Sequence, residues 1–248
     1  MAVNWKNISK VYQWSYFNHL CPCLLCGLDA GDGTGLCQAC RRDLPWLNGP
    51  LCRCGLPRRP GQACPGCLCQ QAPIAAVRPC FHYCFPIDRL LNRYKHDSDL
   101  ACERVLGQLW RQQLPDPGGA GALVPVPLHW RRHLQRGFNQ ARQLAAALAS
   151  ASGRPLWPVL GRRRWAPSQQ RLGRQQRWRD TDERFVCRQP VSGLHLVLVD
   201  DVVTTGATVS ACARALHEAG AASVEVWCLA RTLPHAGGLT QVKASTSN

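Results

Sequence analysis

Two adjacent carboxylates followed by a run of hydroxyls form the clearest chemical pattern in this sequence. Asp200 and Asp201 follow the apolar run Leu196-Val197-Leu198-Val199 and precede Val202-Val203-Thr204-Thr205-Gly206-Ala207-Thr208. Carboxylates only accept hydrogen bonds, which suits the neighbouring hydroxyls of a sugar or a hydrated metal ion. Threonine hydroxyls, and backbone N–H groups that converge around Gly206 at the start of a helix, suit a phosphate. The pattern therefore predicts a ribose 5-phosphate site. The plainer interpretation is a strand that ends in a solvated acidic turn with a threonine N-cap.

The flanking sequence predicts the elements that must position these groups. The apolar run before the acids is short and β-branched, as in a buried strand. A helical pattern follows (Val209, Cys212, Ala213 and Leu216) and ends at Gly220, and a second strand is predicted at Val224–Leu229. The acids and threonines then lie at the carboxyl end of a strand, where open α/β sheets bind their ligands.

Cysteines form the second chemical pattern, with ten of the 16 crowded between residues 21 and 69. Two C-x-x-C pairs separated by ten residues have the spacing of a four-thiolate zinc site, formed by Cys23, Cys26, Cys37 and Cys40. A second set has a tighter first pair and comprises Cys52, Cys54, Cys64 and Cys67, for which Cys69 or Cys21 could substitute. We expect one or two structural Zn²⁺ ions. A redox C-x-x-C is disfavoured because no βαβ pattern surrounds these pairs.

Basic residues form a third pattern. The formal charge is +15, and 26 of the 30 basic residues are Arg. Residues 154–188 hold ten of these, interleaved with Trp157, Trp165 and Trp178. Arginines among aromatic residues can stack on bases and neutralise a backbone. The candidates for single-stranded nucleic acid are Arg162, Arg163, Arg164, Arg171, Arg174 and Arg177. The alternatives are a solvated basic loop and, for the arginine excess, the codon bias of a GC-rich genome.

Two other stretches could contribute to a phosphate site. Residues 77–91 predict a strand followed by a helix, near whose end Lys95 either reaches a phosphate or is a solvated helix terminus. Leu123–Leu128 predicts another strand, and the turn after it carries Arg132 and Arg136, which could hold a pyrophosphate. A helix to about residue 150 follows, and a further helix is predicted at 101–114.

Two of these stretches resemble known families. The segment VLVDDVVTTGAT resembles the phosphoribosyl-pyrophosphate signature of type I phosphoribosyltransferases. That resemblance implies that Asp200 and Asp201 bind the ribose hydroxyls and that residues 204–208 bind the 5-phosphate, with Mg²⁺ accompanying phosphoribosyl pyrophosphate. The segment VPVPLHWRRHLQRGFNQARQLA resembles the ComF family, and the order of motifs extends this resemblance from residue 21 to about 232.

The ComF resemblance implies a protein of DNA uptake or DNA utilisation that binds a phosphoribosyl pyrophosphate-type ligand and single-stranded DNA. It implies competence or DNA-processing proteins as partners. One alternative is an active phosphoribosyltransferase, a pentosyltransferase that transfers phosphoribosyl to a small amine or base. Another is a regulator that senses the ligand.

The expected fold class is α/β, a type I phosphoribosyltransferase-like parallel sheet flanked by helices, with a small N-terminal Cys-rich zinc module. The expected division is an extension at 1–20, the zinc module at 21–70, the phosphoribosyltransferase-like domain at 71–234 and a frayed tail at 235–248. No signal peptide is evident, and no apolar run approaches the ~20 residues that span a bilayer. We therefore expect no membrane insertion and a cytoplasmic location, where thiols stay reduced.

Overall fold

A computed structural model of the chain describes residues 22–31, 33–58, 64, 67–96, 99–114, 119, 121–128, 138–162 and 185–233. The predicted extension at 1–20 and tail at 235–248 lie outside these residues. So do Cys21 and most of the candidate arginines, namely Arg132, Arg136, Arg163, Arg164, Arg171, Arg174 and Arg177.

The described residues form both helices and strands. The helices are α1 (Gln38–Arg42), α2 (Leu68–Gln71), α3 (Ile87–His96), α4 (Leu100–Gln112), α5 (Gln140–Ser152) and α6 (Ala207–Glu218). The strands are β1 (Val77–His82), β2 (Ala122–Pro125), β3 (Leu160–Arg162), β4 (Phe185–Cys187), β5 (His195–Val203) and β6 (Ser223–Arg231).

Four parallel strands form the main sheet in the order β1-β6-β5-β2. β3 and β4 pair antiparallel in a separate two-stranded sheet. β5 lies inside the main sheet, and its residues Leu196–Val199 are all at most 1% exposed. A strand covered on both faces explains why this segment is a continuous apolar run rather than an alternating one. The predicted parallel α/β fold is confirmed.

The predicted strand–loop–helix–strand unit is present as β5, α6 and β6. β5 is longer than the apolar run that predicted it, because Val202 and Val203 still pair with Ala230 and Arg231 of β6. The two acids therefore lie within the strand, close to its carboxyl end, rather than in the loop that follows.

The sheet separates two hydrophobic cores. Val197 and Val199 pack on one face with α3, α4 and α5, whereas Leu196 and Leu198 pack on the other with α6, β3 and β4. Alternate residues of a strand point to opposite faces, which is why neighbours along β5 belong to different cores. Below, these are called the α3–α5 face and the α6 face.

The cysteine-rich segment contributes to both cores. Leu36 and Cys23 are buried on the α3–α5 face, whereas Cys54, Cys67 and Leu68 are buried on the α6 face. Residues 45–47 also bridge to β1, since Leu47 N–H donates to the Cys80 carbonyl at 2.9 Å. The two predicted zinc sites consequently lie against opposite sides of one sheet.

Helix ends follow from local side-chain chemistry. Asp99 precedes α4, and its carboxylate accepts hydrogen bonds from the N–H groups of Ala101 and Cys102 at 2.9 and 3.1 Å. α5 begins after Asn139 and ends at Gly153, whose φ of +68° terminates the helix. Within the described part of the chain, no helix combines the length and apolar character that crossing a bilayer requires.

Candidate functional site

The carboxyl end of β5 leads into a short exposed turn. The strand ends at Val203, the turn comprises Thr204–Gly206, and α6 begins at Ala207. Both threonines of this threonine turn, as we call it, are exposed, and so are Ala207 and Thr208 in the first turn of α6. The first N–H groups of a helix lack intrahelical partners and carry partial positive charge, so this end of α6 suits an anion.

Gly206 gives the turn its shape. Its φ is +84°, in the left-handed region that residues with a Cβ rarely adopt. A Cβ at this position would also lie 2.5 Å from Cδ2 of Leu68. Leu68 follows directly on a cysteine of the second predicted zinc site, and its side chain forms a floor beneath the threonine turn.

Asp201 is paired with a lysine from another helix. Lys95 Nζ lies 2.7 Å from Asp201 Oδ2, and the two side chains are only 15% and 17% exposed. The sequence left open whether Lys95 reaches a phosphate or is a solvated helix terminus. The structure places its ammonium on Asp201, where it offsets the negative charge of that carboxylate.

Asp200 has a different environment. Its Oδ1 accepts a hydrogen bond from the backbone N–H of Asp201 at 2.9 Å. Burial raises the pKa of Asp200 to about 8, and repulsion from Asp201 adds to the effect. The acidic pair, as we call Asp200 and Asp201, thus combines one carboxylate neutralised by Lys95 with one carboxyl that titrates near neutral pH.

Arg231, which no motif in the sequence predicted as a site residue, also reaches the threonine turn. Its guanidinium Nη1 donates to the carbonyls of Val203, at 2.9 Å, and of Thr204. Its Nε donates to the Cys54 carbonyl at 3.4 Å, and the residue is only 4% exposed. The signal in the sequence was a charged residue at the end of the apolar run of β6. An arginine that is buried there needs several hydrogen-bond acceptors close by.

The loop predicted to carry Arg132 and Arg136 is flanked by described residues that lie near the acidic pair. β2 lies beside β5, and Val126 N–H donates to the Val199 carbonyl at 3.0 Å. Asn139 Nδ2 donates back to the Val126 carbonyl at 3.2 Å. The described residues on either side of the loop are thus held at the sheet edge that carries the acids, and both arginines lie outside the described residues.

Arg162 is the one nucleic-acid candidate that the structure describes. Its Nε donates to the Pro127 carbonyl at 3.0 Å, and its guanidinium carbon lies 4.5 Å from the centre of the Phe185 ring. These contacts hold the Arg162 side chain against Pro127 and Phe185. Nucleic-acid binding by all six candidate arginines stays a prediction.

The cysteines form two compact groups. The first cysteine group is Cys23, Cys26, Cys37 and Cys40, and the second cysteine group is Cys52, Cys54, Cys64 and Cys67. Within each group all sulfur atoms lie within 4.8 Å of one another, with Sγ–Sγ distances of 3.8 Å for Cys26–Cys37 and 3.5 Å for Cys54–Cys64.

These distances fit a metal. Four thiolates around a tetrahedral Zn²⁺, at a Zn–S distance of about 2.3 Å, have sulfurs about 3.8 Å apart. Each group could therefore hold one structural zinc ion. Although only one residue separates Cys52 from Cys54, their sulfurs lie together with those of Cys64 and Cys67. Cys69 does not belong to either group.

Comparison with known proteins adds a family to this geometry. A family profile described as "Phosphoribosyl transferase domain" matches residues 179–239, which include the acidic pair and the threonine turn. The DNA utilization protein YhgH of Salmonella typhimurium is 36% identical over 226 residues, covering 85% of this chain and 97% of that protein. Competence protein ComFC of Bacillus subtilis is 29% identical over 209 residues, covering 79% and 84%.

Among solved structures, a glutamine phosphoribosylpyrophosphate amidotransferase from B. subtilis, complexed with ADP and GMP, aligns with a TM-score of 0.37 and 23% identity. The alignment covers 50% of this chain and 25% of that protein. Likeness at this distance carries no functional argument. The two sequence relatives, by contrast, match over 97% and 84% of their own length.

Proposed function

This chain belongs to the ComF family, which includes DNA utilization and competence proteins, and from that premise we propose what its site binds. The ligand is phosphoribosyl pyrophosphate or a closely related sugar phosphate, held with Mg²⁺ at the carboxyl end of β5. The protein acts in DNA uptake or utilisation in the cytoplasm, where the cysteine groups stay reduced. There it contacts single-stranded DNA and competence or DNA-processing proteins.

One observation carries the ligand proposal. The acidic pair lies within the last four residues of β5, and the exposed threonine turn and the first turn of α6 follow it without a break. Carboxylates that accept from sugar hydroxyls are thereby adjacent to hydroxyls and N–H groups that donate to a phosphate. A ribose 5-phosphate presents these two kinds of group a few bonds apart.

Mg²⁺ fits the donor set, because carboxylate oxygens are the protein ligands it prefers. Asp200 and Asp201 are the residues that would hold it, directly or through water. When bound, the ion offsets the charge of the pyrophosphate group. Lys95 keeps Asp201 in place, and Asp200 must release its proton for a cation to bind.

The DNA part of the proposal comes from charge. The chain carries a formal charge of +15, and seven of its 26 arginines lie in the arginine-rich stretch at residues 163–184, between β3 and β4. Arginines among aromatic residues can bind single strands through backbone neutralisation and base stacking, with an affinity that falls steeply with salt. The relatives named for DNA utilization and competence support this direction.

Calorimetric titration of the zinc-replete protein with Mg²⁺–phosphoribosyl pyrophosphate tests the proposed ligand. We expect saturable binding that the double variant Asp200→Asn/Asp201→Asn abolishes. A wild-type protein with full zinc content that shows no heat of binding would overturn this part of the proposal. Repeating the titration with single-stranded DNA present, and measuring DNA binding at about 50 mM salt, tests the second part.

Catalysis is the second candidate function, favoured by the "Phosphoribosyl transferase domain" match across the site. In that reaction a nucleophilic nitrogen of a small amine or base forms a bond to C1 of the ribose while the C1–oxygen bond breaks and pyrophosphate departs. The residues described here would position the sugar phosphate and stabilise its charge. Release of pyrophosphate from phosphoribosyl pyrophosphate, dependent on both acids and on an acceptor, separates an enzyme from a binding protein.

A further inference from the structure

We propose that the second cysteine group and Arg231 position the threonine turn, so that the metal held by this group sets the affinity of the site for its phosphate ligand. The identity of that ligand rests on the function proposed above. The mechanical coupling does not, because it follows from contacts between the cysteine-rich segment and the end of β5.

Arg231 is the first of two links. One guanidinium donates to the carbonyls of Val203 and Thr204, which lead into the turn, and to the carbonyl of Cys54. Cys54 is itself a member of the second cysteine group and is fully buried. A planar guanidinium with several fixed donors holds its acceptors in one relative position, which a lysine ammonium does not.

Leu68 is the second link. It directly follows Cys67, another member of the second cysteine group, and both residues are buried. Its methyl carbons lie 2.5 and 2.7 Å from the position that a Cβ of Gly206 would take, so the turn packs against this side chain. Two of the four candidate metal ligands are therefore linked to the threonine turn, Cys67 through its neighbour Leu68 and Cys54 through the hydrogen bonds of Arg231.

The first cysteine group provides an internal comparison, because it lies on the α3–α5 face. Its Cys23 packs with α3 and α4, and Arg93 of α3 donates to the Leu24 carbonyl at 3.4 Å. Loss of metal there should disturb residues near 22–44 and the helices they contact. Loss of metal from the second group should disturb the turn on the other face.

The coupling follows from what the metal holds in place. A zinc ion on the second group would fix the Cys54 carbonyl and the Cys67–Leu68 step, because their own chain carries its ligands. Without the ion, the Cys54 carbonyl no longer holds Arg231 in one position, and Leu68 no longer packs firmly against Gly206 of the turn. The turn then samples conformations whose N–H groups do not converge on a phosphate. Linkage makes the effect reciprocal, so bound ligand should slow the loss of this metal.

Two buried cysteines make matched variants of the full chain, Cys54→Ser and Cys23→Ser. Each should lose one zinc per chain by elemental analysis. Hydrogen exchange of amides 203–209 should rise in Cys54→Ser and remain near the wild-type rate in Cys23→Ser. Affinity for Mg²⁺–phosphoribosyl pyrophosphate should fall at least about fivefold further in Cys54→Ser than in Cys23→Ser.

Arg231→Lys tests the hydrogen-bonded link between Cys54 and the threonine turn without changing a candidate metal ligand. It replaces Cys54→Ser as the test if that variant does not fold. It should keep the wild-type zinc content, yet increase exchange at 203–209 and weaken ligand binding. Leu68→Ala should act in the same direction, and Leu68→Met, which restores most of the volume, should recover much of the loss.

Equal exchange at 203–209 in Cys54→Ser and Cys23→Ser, or wild-type exchange in Arg231→Lys, would overturn the coupling even if the wild-type protein binds the ligand. Absence of ligand binding by the wild-type protein, with exchange at 203–209 raised in Cys54→Ser and Arg231→Lys but not in Cys23→Ser, would overturn the proposed function and leave the coupling supported.

Discussion

Lys95 Nζ lies 2.7 Å from Asp201 Oδ2, and this contact joins α3 to the carboxyl end of β5. Both side chains are less than one-fifth exposed, so the pair is shielded from solvent more than a surface ion pair is. The ammonium of Lys95 offsets the negative charge of Asp201, whereas burial raises the pKa of the Asp200 carboxyl. Two neighbouring aspartates thus differ in their surroundings, because one is paired with a cation and the other is a buried carboxyl with a raised pKa.

Removal of the lysine should destabilise the protein. In Lys95→Gln, Asp201 keeps its charge beside Asp200 without a cation, and we expect the free energy of unfolding to fall by about 1–3 kcal/mol. Urea unfolding measures it. The double variant Lys95→Gln/Asp201→Asn should recover part of the loss. A coupling energy below about 0.5 kcal/mol would contradict a stabilising pair. Arg42→Gln is the control, because its pair with Asp43 is 80% and 72% exposed.

Asp200 should make stability depend on pH. Its folded-state pKa of about 8 lies above the value near 3.9 in an unfolded chain. The folded state therefore holds the proton more tightly, and the stability this contributes is complete below pH 4 and is lost as pH rises towards 8. Asp200→Asn removes the effect. From pH 5 to pH 8 the wild type should lose on the order of 3–4 kcal/mol relative to the variant. If the free energy of unfolding changes with pH in the same way in both proteins, Asp200 does not have the raised pKa.

The same titration should appear in ligand binding. A cation needs the ionised carboxylate, so the Mg²⁺-dependent affinity for phosphoribosyl pyrophosphate should rise with pH up to about 8 and then level off. Asp200→Asn should bind more weakly and keep only the pH dependence that the phosphates of the ligand contribute. Calorimetry at a series of pH values compares the two proteins. An affinity that is independent of pH in the wild type would contradict a role for Asp200 in holding the ion.

Gly206→Ala should damage the threonine turn for two reasons, the φ of +84° and the collision with Leu68. We expect a loss of about 1–3 kcal/mol in unfolding free energy and weaker ligand binding. Gly153→Ala is a matched control, because its φ is +68° but nothing lies within 4 Å of the added Cβ. Adding Leu68→Ala to Gly206→Ala should relieve the collision. Equal losses for the two glycine variants would show that Leu68 does not contact the turn.

The arginine-rich stretch should control DNA affinity through charge. The triple variant Arg171→Ala/Arg174→Ala/Arg177→Ala should weaken single-stranded DNA binding and lower the slope of log affinity against log salt by about 2. Fluorescence anisotropy across a salt series measures this slope. Arg162→Ala should instead lower stability, because Arg162 contacts Pro127 and Phe185. An unchanged slope in the triple variant would locate the DNA surface elsewhere.

Much of the fold was predictable because its signals are local. The apolar run Leu196–Val199, the helical pattern after it and the next strand are consecutive in the chain, and the structure contains them in that order. Cysteine spacing likewise anticipated both four-sulfur groups, since residues a few positions apart must lie close in space. The family also followed from contiguous motifs, and the relatives confirm it.

Tertiary structure alone decided which distant residues meet at the site. No pattern in the sequence pairs Lys95 with Asp201, places Leu68 under Gly206 or directs Arg231 to the Cys54 carbonyl. Nor does it show that the two cysteine groups lie against opposite faces of the sheet. Local patterns determine the type of each element because they act over a few residues. The relative positions of elements depend on how their apolar faces pack together, and those positions determine which charges and side chains surround the acidic pair.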